Sequence, residues 1–493
     1  MSKTIVNTTR RIYWFDENYS LYEITDTSDI FFDIIVEEPV NEGQFRDLYI
    51  VTNNYRFPKR WDGIALEVSD LGGLIDVGVI RARTMEINNA HVIFGNIAKN
   101  GGGIGGGTPI DSISDIIDTV TTLIDLYGTT PETGYKRFNK TIVWSDVNRP
   151  EFYLPELNNQ AGDIDVDEDG FEIVRIKKIA EFNVVYKEKS IWLLIHVGLP
   201  FVYVKKFFTE SVGLLSVNAI VEVGNVHYFV GHDFDIWRFD GVNITNLSAE
   251  QGVKDYIKSR IQNDTIYQSH AFVDLDRKEI QFSFYGKPDV TSQYRQFDIV
   301  YNYEKGLFSK RDSVAKCGGY FEQTKDLLTI DEVTELIDDV QEMSDMYGIF
   351  GTPQRKLLIG DREGQLHLYN TGDSFNGAEM PGYFETGDED YGEPSRNKLT
   401  DHSKLISNLQ LMIENIGINK DFQLMVGTKD SFDGKIRWKG PFNYKQDGDG
   451  NGYIRTRSNG VYHRFRFISP NKNQFIRILG YTPRVDDYGE NVR

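Results

Sequence analysis

One cysteine, Cys317, stands in the 493 residues, which excludes an intrachain disulfide and with it a small disulfide-stapled fold. It lies in Ala315-Lys-Cys-Gly-Gly-Tyr320, a strand-to-turn context that predicts a small buried residue rather than a nucleophile. No run of about 18 apolar residues occurs, so no membrane-spanning helix is expected. The start, Met1-Ser-Lys-Thr-Ile-Val-Asn7, lacks the apolar segment of a signal peptide. That points to synthesis in a reducing cytosol and leaves the sequons at Asn7, Asn246 and Asn263 without meaning. Positive charge is scarce: 54 Lys and Arg face 74 Asp and Glu, a net charge of −20. Such a chain is not built to wrap DNA by releasing counterions, whereas an acidic wall along which DNA slides without sticking is compatible with it. The histidines (91, 196, 227, 232, 270, 367, 402 and 463) form no His-x-His or His-Glu-x-x-His, so zinc has no ligand pattern.

What the chain does hold is aromatic and β-branched. Aromatics make up 13% and glycine supplies 45 residues, a balance that predicts an all-β protein. The clearest stretch opens on the turn Asp169-Gly170. It runs through Phe171–Ile176, Glu181–Tyr186, Ser190–Val197, Pro200–Val204, Ala219–Val223 and Val226–Gly231 to Ile236–Gly241. Short Val, Ile, Tyr, Phe and Trp runs between Gly, Asn and Asp turns read as consecutive antiparallel strands. No crossover helix fits between them, which argues against a parallel sheet.

Three segments resemble one another: Thr52–Gly63, Val230–Gly241 and Ile359–Gly372. Each is a strand, a Gly/Asn/Asp turn and a second strand with an aromatic residue or leucine, followed by Asp or Asn and Gly. Gly241 to Gly372 spans roughly three units of ~44 residues, and Gly63 to Gly241, less an insertion at 97–137, roughly three of ~46, the blade length of propeller repeats. The expected fold is therefore a β-propeller of about seven blades. Its first part is 1–96 and its remainder 138–400, followed by a C-terminal antiparallel β segment at 401–493, either a sandwich or the final blades. Two helical insertions interrupt it. At 97–137, a Gly-rich loop (Lys99–Pro109) precedes Ile113, Ile116, Ile117, Val120, Leu123, Ile124 and Tyr127 at helical spacing, with a stop at Gly128. No Gly-Lys-Ser/Thr follows, and Asp111 and Asp115 would repel an anion, so a tethered docking helix outweighs a phosphate cradle. The second, at about 331–347, places Val333, Leu336, Ile337, Val340 and Met343 on one face. Ser248-Ala-Glu-Gln251 reads as a capping box that opens a helix through Val253, Tyr256, Ile257 and Ile261.

Two stretches mimic calcium loops: Asp165, Asp167 and Asp169 before Gly170, and Asp447, Asp449 and Asn451 in Asp447–Ile454. Calcium needs several oxygens, normally ending in a bidentate Glu at position 12. Ile176 and Ser458 stand there instead, so a hairpin turn remains the competing reading at both and calcium at Asp447, Asp449 and Asn451 the candidate metal site. No catalytic set emerges: carboxylates are abundant, yet no glycosidase pair stands out. The six tryptophans (14, 61, 144, 192, 237 and 438) lie inside strand patterns, which predicts core positions rather than a sugar platform.

Four lines in chain order carry a resemblance. These are Ile142-Val-Trp-Ser-Asp-Val-Asn-Arg-Pro-Glu-Phe152; Asp169-Gly170 leading to Val184-Val-Tyr-Lys-Glu-Lys-Ser-Ile-Trp192; Phe297-Asp-Ile-Val-Tyr-Asn-Tyr-Glu-Lys-Gly-Leu-Phe-Ser309; and Arg455-Thr-Arg-Ser-Asn-Gly-Val-Tyr-His-Arg-Phe-Arg-Phe467. They resemble the β-propeller tail nozzle and packaged-DNA stabilisation proteins of short-tailed bacteriophages, with Phe308 where those carry Trp and Val461 where they carry Arg. The resemblance covers most of the chain outside the two insertions. It implies a virion protein made in the host bacterial cytoplasm and placed in the tail as a head-to-tail connector. There it would form a homo-oligomeric ring, a hexamer, below the portal and head-completion proteins and in contact with other tail proteins. The ring would retain the packaged genome and form its exit channel for ejection, DNA passing through the lumen without sequence-specific binding. The role is structural, with no enzyme activity and no cofactor unless calcium. The competing readings are a propeller that binds a receptor or glycan, and a propeller glycoside hydrolase.

Overall fold

The computed structural model describes residues 4–7, 11–15, 21–26, 40–54, 56–100, 135–249, 251–288, 294–311, 315, 317–323, 354–360, 365–369, 374–375, 378–379, 382–391, 403–416, 422–431, 433–446, 452–469 and 476–487. The protein is all-β, built of many small antiparallel sheets, and divides into two units, Met1–Tyr369 and Asn370–Arg493.

In the first unit the strands follow chain order within every sheet. Sheet I holds β1 (Thr4–Asn7), β2 (Ile12–Phe15) and β3 (Leu21–Glu23). Sheet II holds β4 (Asn41–Phe45), β5 (Leu48–Thr52), β6 (Lys59–Trp61) and β7 (Ser69–Asp70). Sheet III comprises β8 (Val79–Asn88), β9 (His91–Asn100), β10 (Tyr135–Trp144) and β11 (Gly162–Asp165). Sheet IV comprises β12 (Ile173–Ile179), β13 (Phe182–Lys187), β14 (Ile191–Gly198) and β15 (Val202–Thr209). Sheet V follows with β16 (Ile220–Val223), β17 (Val226–Val230), β18 (Ile236–Phe239) and β19 (Ile244–Asn246), and sheet VI with β20 (His270–Asp274), β21 (Glu279–Pro288), β22 (Tyr294–Asn302) and β23 (Leu307–Arg311). Sheet VII closes the unit with β24 (Cys317–Gln323), β25 (Gln354–Gly360) and β26 (Leu366–Leu368).

The continuous apolar runs of the sequence have a direct cause: these sheets are covered on both faces. Val184 and Tyr186 of β13 point into a core shared with sheet V, while Val185 between them points into one shared with sheet III. Along β14, Ile191 and Leu193 take the first side, Trp192 and Leu194 the second. Successive side chains of a strand face opposite ways, so a strand buried on both faces reads as an unbroken run. Among the described residues one apolar cluster lies between each consecutive pair from sheet I to sheet VII. Each fully buried Leu, Ile or Phe in them contributes about 1.5–3 kcal/mol.

From sheet III to sheet VI the first strands run side by side in the same direction. Thr84 Oγ1 accepts from Ile176 N at 3.0 Å and Glu86 Oε2 from Lys178 N at 3.2 Å. Further on, Arg175 reaches Asn218, and Asn218 pairs with His270 in a parallel bridge. The first-to-second and third-to-fourth connections of sheets III to VI therefore lie at one end. Close approach there is visible at Gly241 (φ +92°): a Cβ on it would stand 3.0 Å from Phe182 Cζ in the neighbouring sheet.

The three repeated segments fall at one place in their sheets, the second-to-third hairpins of II, V and VII. From Gly63 to Gly241 that makes three units, as the spacing predicts. From Gly241 to Gly372 it makes two rather than three, because β24 and β25 are separated by the stretch that contains the second insertion. That insertion (331–347) and the helix expected at Ile113–Tyr127 lie outside the described residues. The first insertion is narrower than 97–137: residues 97–100 and 135–137 are paired strand, Tyr135 opposite Asn100. Helix α1 (Val253–Arg260) forms where the pattern predicts it and buries Val253 and Ile257 between sheets V and VI. The capping box does not form. Gly252 caps the helix, and the Ser248 hydroxyl donates to Asp235 Oδ1 at 2.9 Å and accepts from Ile236 N. Cys317 is exposed rather than buried, at the first position of β24 opposite Gly360.

In the second unit, after a hairpin of β27 (Ser374–Phe375) and β28 (Ala378–Glu379), the strands are β29 (Gly382–Glu385), β30 (Lys404–Ile416), β31 (Gln423–Lys429), β32 (Arg437–Asn443), β33 (Lys445–Gln446), β34 (Gly452–Gly460), β35 (Tyr462–Ser469) and β36 (Ile476–Asp487). They form two four-stranded sheets, β29-β35-β31-β32 and β33-β34-β30-β36. Leu409 and Ile454 of one meet Leu424, Phe465 and Phe467 of the other in one core. The two sheets thus face each other across one apolar core, and β29 precedes residue 401.

Candidate functional site

Among the polar groupings of the described residues in the first unit, three bear on a site. One is the seam along the first strands. There the Arg175 guanidinium donates to Asn218 Oδ1 at 3.1 Å, Lys177 Nζ lies 3.7 Å from Glu222 Oε2, and the Thr52 hydroxyl donates to Ala82 O at 2.7 Å. Burial presses the Arg175 and Lys177 cations below their ordinary values. Glu86 opposes that at both, together with Glu42 at Arg175 and Glu222 at Lys177. Each cation thus faces carboxylates on a neighbouring sheet, an arrangement that ties sheets together.

The second place is the start of sheet IV. The Asp169 carboxylate accepts hydrogen bonds from Lys187 Nζ, the Ser190 hydroxyl and, at 2.7 Å, Trp192 Nε1. Lys187 also donates to Val166 O at 2.6 Å. The Lys187 and Asp169 side chains are 0% and 1% exposed, so both charges are out of water. Burial opposes ionisation of Asp169, but the bonds from Lys187, Ser190 and Trp192 together outweigh it and hold the carboxyl below its usual range. For Lys187 burial prevails over the pairing and the ammonium is held below the usual lysine value. The calcium reading of this loop ends here: Asp169 is committed to Lys187, Asp165 accepts from the Thr141 hydroxyl, and Asp167 lies 4.0 Å from Lys205. Ile176, in the twelfth position, is fully buried core.

The third place brings together residues that sequence spacing does not connect. The His91, His196 and Tyr203 rings stand 5.2–5.6 Å apart between sheets III and IV, with Trp144 5.0 Å from Tyr203. His91 Nδ1 lies 2.6 Å from Ser145 O. A carbonyl only accepts, so Nδ1 carries the proton and Nε2 holds the lone pair. Burial lowers the His91 pKa and raises that of Tyr203, so at neutral pH these two are uncharged. General-base work needs a group that orients the imidazole toward a nucleophile; here a backbone carbonyl fixes the tautomer and the partners are aromatic.

Asp447, Asp449 and Asn451 lie outside the described residues. Ser458, at the twelfth position of that loop, is buried in β34. Among the described residues no group of three or more His, Cys, Asp and Glu side chains is arranged to hold a metal ion, and no helix is long and apolar enough to cross a membrane. Four tryptophans donate their indole N–H inside the protein: Trp61 to Ala65 O, Trp144 to Gln160 O, Trp192 to Asp169 and Trp237 to Asp233. Their rings serve the sheets and their connections rather than an open platform.

No protein-family model matches the chain, and no curated protein matches its sequence. Among solved structures it is similar to a putative 6-phosphogluconolactonase from Bacteroides uniformis, at 8% identity and a TM-score of 0.33 over 73% of this chain and 90% of that one. It is also similar to an exo-β-1,3-galactanase from Phanerochaete chrysosporium, at 9% identity and a TM-score of 0.25 over 93% and 98%. A cobalt-substituted apocarotenoid oxygenase from Synechocystis matches at 10% identity and 0.19, over 74% and 64%. Likenesses of this size carry no conclusion about activity.

Proposed function

We propose that this chain is a structural virion protein of a short-tailed bacteriophage. In this reading it is a seven-bladed β-propeller with a C-terminal sandwich that joins further copies, six in all, in a ring of the head-to-tail conduit. The propeller reading rests on sequential sheets with apolar clusters between consecutive pairs and first strands running parallel, the arrangement of blades about an axis. The functional reading rests chiefly on the Asp169 cluster. Asp169, Lys187, Ser190 and Trp192 are residues of the second resembling line, and they meet in one buried network. The resemblance thus involves residues that hold a blade together, which suits a family whose common property is a framework. The net charge of −20 suits a wall past which duplex DNA moves without adhering. The ring would sit under the portal and head-completion proteins, touch other tail proteins and retain the genome until ejection.

The test is genetic. Particles assembled in cells that lack only this chain are expected to package DNA and then lose it, leaving empty heads. Filled, stable heads that fail only to adsorb would contradict the conduit reading and support the receptor- or glycan-binding propeller.

A further inference from the structure

The loops between third and fourth strands repeat one feature in four consecutive sheets, and the next sheet carries it at the start of its fourth strand: a large apolar side chain held out in solvent. Ile64 (88% exposed) stands in this loop of sheet II, Leu157 (102%) in that of sheet III, Phe201 (74%) in sheet IV and Val242 (75%) in sheet V. Leu307 (63%) begins the fourth strand of sheet VI. Isolated exposed apolar residues are ordinary; recurrence between or at the start of the same pair of strands in five consecutive sheets is not. The loops share one end of the unit, as contacts between neighbouring turns require. Arg46 donates to Asn148 Oδ1 at 2.6 Å, Asn148 N to Ala90 O at 2.9 Å, and Asn89 Nδ2 to Glu181 O at 2.9 Å. Gly241 packs against Phe182 and Ile179. With sheets stacked about 10 Å apart, the apolar tips trace an arc across that end.

We propose that this arc is a docking surface for a protein partner that presents an apolar, net-cationic face. The charge of the same turns selects the partner. Among the described residues there, carboxylates (Asp47, Asp62, Glu156, Glu181 and Asp276 among them) outnumber cations such as Arg46 and Arg277. A second copy, itself at −20, would bring like charge to like charge through this end. An anionic lipid surface is disfavoured for the same reason, since surface-bound proteins meet it with Lys and Arg. The inference concerns one surface and does not depend on the virion reading.

The probe is a fluorescent amphipathic helical peptide of leucine and lysine, with a leucine–glutamate twin as control, titrated with the full chain by anisotropy. The lysine peptide is expected to bind saturably and more weakly as salt rises from about 0.05 M to about 0.3 M. It should bind at least about tenfold more weakly to Leu157→Ser/Phe201→Ser/Val242→Ser, a change of about 1.4 kcal/mol or more, with the circular dichroism spectrum unchanged. A second variant, Glu156→Lys/Glu181→Lys, keeps the apolar tips and is expected to lose the preference for the lysine peptide. Equal binding by the triple variant, or equal binding of both peptides to the wild-type chain, would overturn the proposal. So would concentration-dependent self-association in sedimentation, or flotation with phosphatidylcholine/phosphatidylserine vesicles, that the triple variant loses.

Discussion

Replacing Asp169 by alanine removes the acceptor of three buried donors in one step. Lys187, whose side chain has no exposed surface, would keep only Val166 O. Removing one partner of a buried ion pair costs about 3–5 kcal/mol, against about 0–1 kcal/mol for a surface pair. Ser190 Oγ and Trp192 Nε1 would also be left unpaired at about 1–3 kcal/mol each before the site relaxes. The expected loss is therefore at least about 4 kcal/mol, a large share of the 5–15 kcal/mol that holds an ordinary domain. The discriminating comparison is the pair Asp169→Ala and Asp169→Ala/Lys187→Met. The second removes the stranded ammonium, so the double variant is expected to be more stable than the single one by about 2 kcal/mol. The assay is urea unfolding of the full chain followed by tryptophan fluorescence, with hydrogen exchange of the β13–β14 hairpin to localise the change, since two units need not unfold in one transition. An Asp169→Ala protein within about 1 kcal/mol of wild type, or a double variant no more stable than Asp169→Ala, would refute the reasoning.

Other consequences follow from the same geometry. Burial first, then the positive charge of Lys177, pushes the His227 pKa down to about 3, between Tyr186 and the Lys178 carbonyl. The folded value lies below the unfolded one, so the stability that neutral His227 supplies is present above about pH 6.5 and is lost as pH falls, by up to about 1.4 kcal/mol per pH unit. His227→Gln should flatten the fall of thermal midpoint between pH 7 and 5; an unchanged slope contradicts the assignment. Gly213→Ala would set a Cβ 2.3 Å from the Glu188 carbonyl atoms and is expected to cost roughly 1–3 kcal/mol by displaced backbone, read by urea midpoint; a neutral result would mean this crossover is not tightly held. Calcium at Asp447, Asp449 and Asn451 is checked by calorimetric titration: a saturable heat abolished by Asp447→Asn/Asp449→Asn would establish that site, and no saturable heat would refute it.

The strands were legible because turns punctuate them, and the three repeated segments were legible because they all fall at the second-to-third hairpin of a sheet. The count of units after Gly241 was not, since an insertion between β24 and β25 mimics the length of a sheet. Strand order in the second unit was hidden as well: β29 pairs with β35 across five intervening strands, and nothing local in Gly382–Glu385 announces that partner. For the polar clusters the division is similar. The line from Val184 to Trp192 pointed to Lys187, Ser190 and Trp192, but only the fold brings them to Asp169. His91 and His196 lie on different sheets and carry no spacing signal at all. Ser248 misled in an instructive way: its hydroxyl bonds to Asp235 and the Ile236 amide, a tertiary use that overrides the local capping pattern. Exposure of Leu157 or Phe201 is invisible in sequence, where each looks like any core residue.

Electron cryomicroscopy of the native particle tests the central proposal most directly. The account predicts a ring of this chain at one vertex, coaxial with the DNA channel below the portal, with acidic side chains toward the bore. Density for the chain only at the periphery, as spikes or fibres away from that axis, would contradict it.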